Sequence, residues 1–248
     1  MNIYNLYIPI ELIQHIFDFL EFINQISFKL TCKDYSQLSI YDLYNISFEY
    51  RNKLDDDILK NYSFLKYLDA NWNNKINNLF HLTNLQILDA SGCCGINDNS
   101  IRNFNLIKLN ASANHKITNV SHMTNLQILD ASNRCGIDNN GIKNLNLIEL
   151  NILNYRMINN ISHMTKLQIL NASGIYCQFN DESIKYLNLI ELNASDNWKI
   201  TNISHMTNLK ILEACGWSKI DNKQILNLNL IRLNSLYNDK ITLSLKKI

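Results

Sequence analysis

The cysteines are the first side chains whose type could support metal binding, disulfide formation or nucleophilic catalysis. Six occur, and none forms a C-x-x-C pair: Cys32, Cys93, Cys94, Cys135, Cys177 and Cys215. Four of them recur at equivalent turns, two repeat units apart. In a parallel sheet that spacing is roughly 10 Å, too far for a disulfide or a shared zinc ion. We therefore expect buried small thiols; an enzyme with a nucleophilic cysteine such as Cys93 is a separate hypothesis.

Histidines recur with the same spacing and invite a metal-site hypothesis. They are His81, His122, His163 and His205. Two nitrogens on one zinc ion must each lie within about 2.1 Å of it, which turns roughly 10 Å apart do not allow. No glycine-rich phosphate loop and no nucleophile with a plausible base stands out. The sequence therefore predicts no catalytic residue, no metal ligand and no cofactor.

The elements that carry these residues belong to a tandem repeat. A phrase of leucine, two residues, leucine or isoleucine, a polar residue and a small or apolar one occurs ten times. Its first positions are Leu43, Leu65, Leu85, Leu106, Leu126, Leu147, Leu167, Leu189, Leu209 and Leu230. Long units of 21 or 22 residues alternate with units of 20, before a remnant of 19. A fixed period of this size predicts a solenoid in which each unit supplies one strand.

Alternation within the phrase predicts which side chains face the core. Positions four and six should point inward, and positions three and five outward. Seven of the eight alanines occupy position six, and isoleucine recurs at position twelve, for example Ala131 with Ile137. This fit of small against large side chains predicts a packed core. With Asn97 and the pair at 138–139 as helix N-caps in long units, the expected fold is an α/β solenoid with a parallel sheet on its concave side.

Two kinds of unit resemble leucine-rich repeats. Long units such as LQILDASGCCGINDNSIRNFN at 85–105 resemble the cysteine-containing class, and short units such as LIKLNASANHKITNVSHMTN at 106–125 resemble the internalin-type class. The family has leucine at position six where this chain mostly has alanine. Its turn asparagine or cysteine is matched at most position-nine residues but not at Tyr155 or Trp217. The resemblance implies leucine-rich repeats over residues 43–248.

Composition excludes several classes of partner. Lysine and arginine number 23 against 22 aspartates and glutamates, so no charge excess indicates nucleic acid. The start MNIYNLYIPIEL has no charged region before an apolar run, and no apolar stretch approaches the roughly 18 residues that span a bilayer. We expect an intracellular, cytoplasmic protein without membrane or nucleic-acid partners.

The segment outside the repeat, residues 1–42, is expected to form three short helices. Pro9 suits a first helical turn, and Glu11 complements the positive helix end. Apolar residues from Leu12 to Leu20 fill one continuous arc, and further helices are expected around Ile26 and over residues 35–43. Such small helices bury too little surface to be stable alone, so we expect them to need a partner or the first repeat.

The residues IPIELIQHIFDFL at 8–20 and EFINQISFKLTCKDYSQL at 21–38 resemble an F-box. The residues that match the F-box motif, or replace its residues conservatively, are Ile8, Pro9, Glu11, Leu12, Ile16, Phe17, Leu20, Cys32, Lys33, Tyr35 and Leu38. The resemblance implies docking on the Skp adaptor of a cullin-RING ubiquitin ligase, with the repeats holding a substrate. The preferred interpretation is a non-catalytic substrate adaptor. The alternative is an interaction scaffold or decoy whose helices only cap the first repeat.

The outward positions of the strands predict where a protein or peptide substrate would bind. Position five forms a polar column, and position three alternates isoleucine in long units with charged residues in short ones. The expected substrate-binding residues are Ile87, Asp89, Lys108, Ile128, Asp130, Glu149, Ile169, Glu191, Ile211 and Glu213. Isoleucines framed by carboxylates suit an apolar ligand with basic flanks. Alternatively, the asparagines only ladder along the sheet and the isoleucines pack on one another.

Overall fold

The computed structural model describes residues 9–18, 20–31, 38–44 and 46–242. Ten parallel strands form one sheet in sequence order, preceded by a small helical segment. The strands are β1 Asp42–Leu43, β2 Tyr67–Asp69, β3 Ile87–Asp89, β4 Lys108–Asn110, β5 Ile128–Asp130, β6 Glu149–Asn151, β7 Ile169–Asn171, β8 Glu191–Asn193, β9 Ile211–Glu213 and β10 Arg232–Asn234. The predicted α/β solenoid with a parallel sheet is confirmed.

Two helices precede the first strand, α1 Ile10–Asp18 and α2 Phe22–Thr31. The helices that connect strands lie in the long units: α3 Phe48–Arg51, α4 Asp56–Leu59, α5 Asp98–Ile101, a 3₁₀ turn Asn140–Ile142, α6 Asp181–Ile184 and α7 Asn222–Ile225. Asn97 caps α5 as expected, its side chain accepting from the Asn99 and Ser100 N–H groups. The helix expected after residues 138–139 is only the 3₁₀ turn. Over the described ranges, no helix is both long and apolar enough to cross a membrane.

The core follows the predicted alternation. In β2 to β9 the central leucine is buried and the residues on either side of it are half-buried. All seven position-six alanines are fully buried, as are the position-twelve isoleucines from Ile76 to Ile220. One column of side chains from each unit therefore builds a continuous apolar core.

Every unit from β2 onward turns at the same position, the eighth. A left-handed backbone conformation occurs there in all nine units, at Trp72, Gly92, Ala113, Asn133, Asn154, Gly174, Asp196, Gly216 and Tyr237. Glycine adopts this conformation without steric cost, whereas six units use other residues. Neighbouring turns pack closely, since a Cβ atom on Gly92 would lie 2.7 Å from the Trp72 ring.

The first unit differs from the sequence prediction. The sheet pairs Leu43 with Leu68, so Leu43 occupies position four, and the first position belongs to Ile40. The unit is 25 residues long rather than 22, because it contains both α3 and α4. The third N-terminal helix is also absent from the described part of residues 35–43: residues 38–41 are irregular and 42–43 form β1. Leu38 and Ile40 are both buried, which is the alternation of an extended segment.

Candidate functional site

Helix α1 divides its apolar residues between the core and solvent. It starts after Pro9, whose carbonyl accepts from the Leu12 and Ile13 N–H groups at 3.0 and 3.2 Å. Phe17 is fully buried, whereas Leu12 and Ile16 are 54% and 56% exposed. Leu12 and Ile16 are four residues apart and therefore lie on one face. The continuous arc expected from sequence is thus split into a buried anchor and an exposed apolar pair.

Side-chain hydrogen bonds hold α1 against the start of the sheet. The Gln14 amide donates to the Ser39 carbonyl at 2.9 Å and accepts from the Ser39 N–H at 2.8 Å. The Gln25 amide of α2 donates to the Phe17 carbonyl at 3.1 Å. The Phe17 and Phe28 rings meet with centroids 6.1 Å apart. These contacts fix the orientation of α1 and therefore of its exposed pair.

Not all of the predicted docking residues can be placed. Pro9, Glu11, Leu12, Ile16, Phe17 and Leu20 are among the described residues, with Glu11 exposed and Leu20 half-buried. Ile8, Cys32, Lys33 and Tyr35 lie outside them. Phe17 belongs to the core, so the predicted docking residues that α1 exposes are Leu12 and Ile16, with Glu11 beside them.

The predicted concave residues line the open side of the sheet, called the sheet face below. At position three, the strand pairing places the long-unit isoleucines beside charged residues of the short units, as Ile128 between Lys108 and Glu149. The same pairing sets Ile87 beside Lys108, Ile169 between Glu149 and Glu191, and Ile211 between Glu191 and Arg232. These isoleucines are half-buried rather than exposed. Part of their apolar surface is therefore already covered within the protein.

Position five of the sheet face is a hydrogen-bonded ladder. One oxygen of Asp89 accepts from the Ser91 N–H and hydroxyl, and the other accepts from the Asn110 amide at 2.8 Å. Asp130 makes the equivalent bonds with Ser132 and with Asn151. A ligand at either aspartate would compete with donors of the protein itself. This part of the face has the geometry of the ladder alternative.

Charge on the sheet face is partly neutralised at its two ends. Arg232 lies 3.4 Å from Glu213 and 3.8 Å from Glu191, while Arg51 pairs with Asp69. Burial nevertheless raises the pKa of Asp69 above its ordinary value, outweighing the hydrogen bonds from Asn71 and Arg51 that lower it. Glu149, near the middle, has no ion-pair partner among the described residues. A negative charge without an ion-pair partner among the described residues therefore lies near the middle of the sheet face.

Most of the described cysteines are buried, and two of the recurring histidines bond to the preceding unit. Cys94, Cys135 and Cys177 are buried, Cys215 is half-buried and Cys93 is exposed. Burial raises the pKa of Cys94 and Cys177 to about 11 and of Cys135 to about 12, so these thiols stay protonated at neutral pH. His122 and His205 donate from Nε2 to the carbonyls of Ile101 and Ile184 in the preceding unit. No group of three potential metal ligands occurs within the described ranges.

The sequence interpretation gave no role to the tryptophans, and the structure exposes them. Trp72, Trp198 and Trp217 are 61%, 51% and 68% exposed, each on a turn that follows a strand. An alignment of the units by their leucines places all three tryptophans in the turn after the strand, because they fall at positions eight to ten.

Comparison with known proteins adds one finding. Residues 6–48 match the family model of the F-box domain, a segment that contains α1, α2 and β1. F-box domains typically bind the Skp adaptor within ubiquitin ligases, and proteins that carry them are generally non-catalytic adaptors. None of the curated proteins compared with the chain matches it.

Proposed function

We propose that this chain is a non-catalytic substrate-recognition adaptor of a Skp–cullin–F-box ubiquitin ligase. In this proposal residues 1–42 dock on the Skp adaptor of the cullin-RING ligase. Residues 43–248, as leucine-rich repeats, hold a protein substrate, and other subunits catalyse ubiquitin transfer. The observation that carries the proposal is the exposed pair Leu12 and Ile16, on a helix within the F-box match.

Helix α1 has the properties of a docking element. Its inward side is fixed by Phe17 and Gln14, so the exposed pair is presented in one orientation. Moving a fully exposed leucine or isoleucine into a fully buried site contributes about 1.5 to 3 kcal/mol of free energy. Leu12 and Ile16 still expose more than half of their surface. An adaptor covering both would gain most of the remainder without reorganising the helix. Preorganisation of this kind favours affinity.

Co-purification with the Skp adaptor tests the docking half. We expect the full chain to bind, and the Leu12→Lys, Ile16→Lys variant to lose binding while keeping its unfolding midpoint, because both positions are exposed. Asn103→Lys, Asn144→Lys is the matched control, since it adds the same charge at exposed positions of the repeats. Failure of the unmodified chain to bind would reject the ligase proposal.

The substrate half rests on the alternating sheet face. Ile128 and Ile169 flank Glu149, which has no ion-pair partner among the described residues, so an apolar partner with a basic side chain would complement this stretch. Ile128→Lys, Ile169→Lys should weaken partner binding, whereas the Asn103→Lys, Asn144→Lys control should not. The measurement is the amount of partner cross-linked to equal amounts of each variant. Unchanged binding after both isoleucine substitutions would reject this surface.

The same contacts also favour a second function, an interaction scaffold whose helical segment only caps the first repeat. Phe17 is fully buried, and Gln14 pairs with Ser39 next to the first strand, as a cap requires. Capping predicts that Phe17→Ala lowers the unfolding midpoint, while the Leu12→Lys, Ile16→Lys variant has no effect on any partner. Adaptor binding by the unmodified chain would reject capping as the sole role.

A further inference from the structure

The exposed tryptophans lie along one edge of the solenoid. Each occupies the turn that follows a strand, and equivalent turns of a parallel solenoid stack on the same side. The chain contains three tryptophans, and all three are more than half exposed. Large aromatic residues are usually well buried in folded proteins, and exposed ones are concentrated at interfaces. This edge is therefore a candidate interaction surface separate from both α1 and the sheet face.

The last three units bring aromatic residues together. Trp198, Trp217 and Tyr237 come from successive turns and line an open cavity of about 980 Å³. Tyr237 is 94% exposed. Neighbouring units are stacked about 4.8 Å apart, and the three residues, at positions ten, nine and eight of their units, all line the same cavity. A surface of this kind offers several contacts for a partner with large side chains.

The turn between these rings is tightly packed. The Trp217 N–H donates to Oδ1 of Asp196 at 3.1 Å. Gly216, in a left-handed conformation, lies so close that an added Cβ would come within 2.1 Å of the same oxygen. The aromatic rings are therefore presented from a packed backbone, which lowers the entropic cost of binding.

Lysines accompany the rings. Lys199, Lys219 and Lys240 occupy the same position of successive units. The Lys199 amine lies 5.3 Å from the centroid of the Trp198 ring. Lys219 and Lys240 line the cavity and have no ion-pair partner among the described residues. Asp239 is the acidic residue among those that line the cavity, and Asp196 accepts from the Trp217 N–H, so the lining with its two lysines has a positive balance.

We propose that Trp198, Trp217 and Tyr237, together with Lys219 and Lys240, bind an acidic peptide segment that carries aromatic or large apolar side chains. Two lysines in the cavity disfavour a cationic ligand, which the aromatic rings alone would attract. The chain's net charge of +1 disfavours nucleic acid. The identification of this segment as part of a ubiquitin-ligase substrate rests on the proposed function. The proposed binding chemistry is independent of that function.

A fluorescein-labelled, glutamate-rich random copolymer of Glu and Tyr serves as the probe, with binding to the full chain measured by anisotropy. We expect Trp217→Ala, Tyr237→Ala and, separately, Lys219→Glu, Lys240→Glu to weaken binding at least about tenfold. Lys143→Glu, Lys166→Glu makes the same charge change at exposed positions elsewhere and should stay within about twofold of the unmodified chain. Unfolding midpoints of all variants establish that each is folded, and Trp198→Ala provides a second test at another ring.

Preferred binding of a Lys–Tyr copolymer or of single-stranded oligothymidylate would overturn the proposal. So would equal weakening by the charge-matched control. Co-purification with the Skp adaptor separates this proposal from the ligase proposal. Copolymer binding without adaptor binding rejects the ligase alone, and adaptor binding without copolymer binding rejects the edge alone.

Discussion

The phenol of Tyr155 lies 2.8 Å from the carbonyl of Ile137 in the preceding repeat and 2.5 Å from that of Cys135. Asparagine does the corresponding work elsewhere, since the Asn114 amide donates to the carbonyls of Ala90 and Ile96 at 2.8 and 3.1 Å. Asn197 and Asn238 repeat this arrangement. Burial raises the pKa of Tyr155, so its hydroxyl stays protonated as a donor. Tyrosine can thus take the place of asparagine because its hydroxyl reaches a carbonyl of the preceding repeat, although the two side chains differ chemically.

Tyr155→Phe should therefore destabilise the protein by about 1 to 3 kcal/mol, because a buried carbonyl loses its donor while the ring stays in place. Urea unfolding measures the difference. Tyr176→Phe is the control, since Tyr176 is 62% exposed, and it should change stability by less than about 0.5 kcal/mol. Equal stability of the Tyr155→Phe variant and the unmodified chain would show that Tyr155 only fills space.

Ala131→Leu should cost about 1 to 3 kcal/mol through overpacking, because alanine at position six is fully buried. The neighbouring unit supplies a matched control, as it has the fully buried Ile152 at the same position. Ile152→Leu conserves volume and should cost less than about 1.5 kcal/mol. Both values come from the shift in urea midpoint at constant slope. An Ala131→Leu variant as stable as the unmodified chain would mean that the alanine column is not set by space.

Much of the fold could be predicted from the leucine and alanine columns, since a residue type held at one position in nearly every unit reports a shared environment. The prediction failed where that signal weakens. In the first unit Ile40 replaces leucine at position one, and α3 and α4 lengthen the unit. The leucine pattern therefore assigns Leu43 to position one, whereas it occupies position four of its unit. The turn at position eight had no sequence signal, because glycine, asparagine, tryptophan and tyrosine all occur there.

The candidate site was less predictable, because exposure depends on contacts between distant segments. Periodicity identifies Leu12, Ile16 and Phe17 as apolar. Their division between solvent and core depends on packing against α2 and on the hydrogen bonds between Gln14 and Ser39. The polarity of position five was evident from sequence, but its hydrogen-bond directions were not. Those directions decide which side chains remain available to a partner.

Cys135 should make stability depend on pH above neutrality. Burial raises the pKa of this thiol from its ordinary value of 9.0 to about 12. The folded state therefore retains the proton while the unfolded state loses it, so the contribution to stability is complete below pH 9 and is lost as pH rises toward 12. At pH 10 the destabilisation caused by Cys135→Ala should be smaller than at pH 7.5, by an amount on the order of 1 kcal/mol.

Urea unfolding at the two pH values tests this expectation for Cys135. Ile152→Val is the control, because it changes the core without removing a titrating group, and its cost should be the same at both pH values. A Cys135→Ala cost that is constant or grows with pH would contradict the expected retention of the proton.

Asp89→Asn should destabilise the sheet face by about 1 to 3 kcal/mol, although the two residues have nearly the same shape. Asp89 accepts from Ser91 and Asn110, so the new amide would oppose the Asn110 amide. Asn110 cannot turn over without loss, because its own oxygen accepts from the Ser112 N–H at 3.0 Å. Asn110→Asp alone should also destabilise at neutral pH, since two carboxylates would then face each other.

The double variant Asp89→Asn, Asn110→Asp restores one donor and one acceptor and should recover more than half of the summed loss, measured as a coupling energy in a double-mutant cycle. Such recovery would show that the bond between Asp89 and Asn110 stabilises the sheet face, because the exchanged pair keeps one donor facing one acceptor. Additive losses would instead show that the two side chains contribute to stability independently.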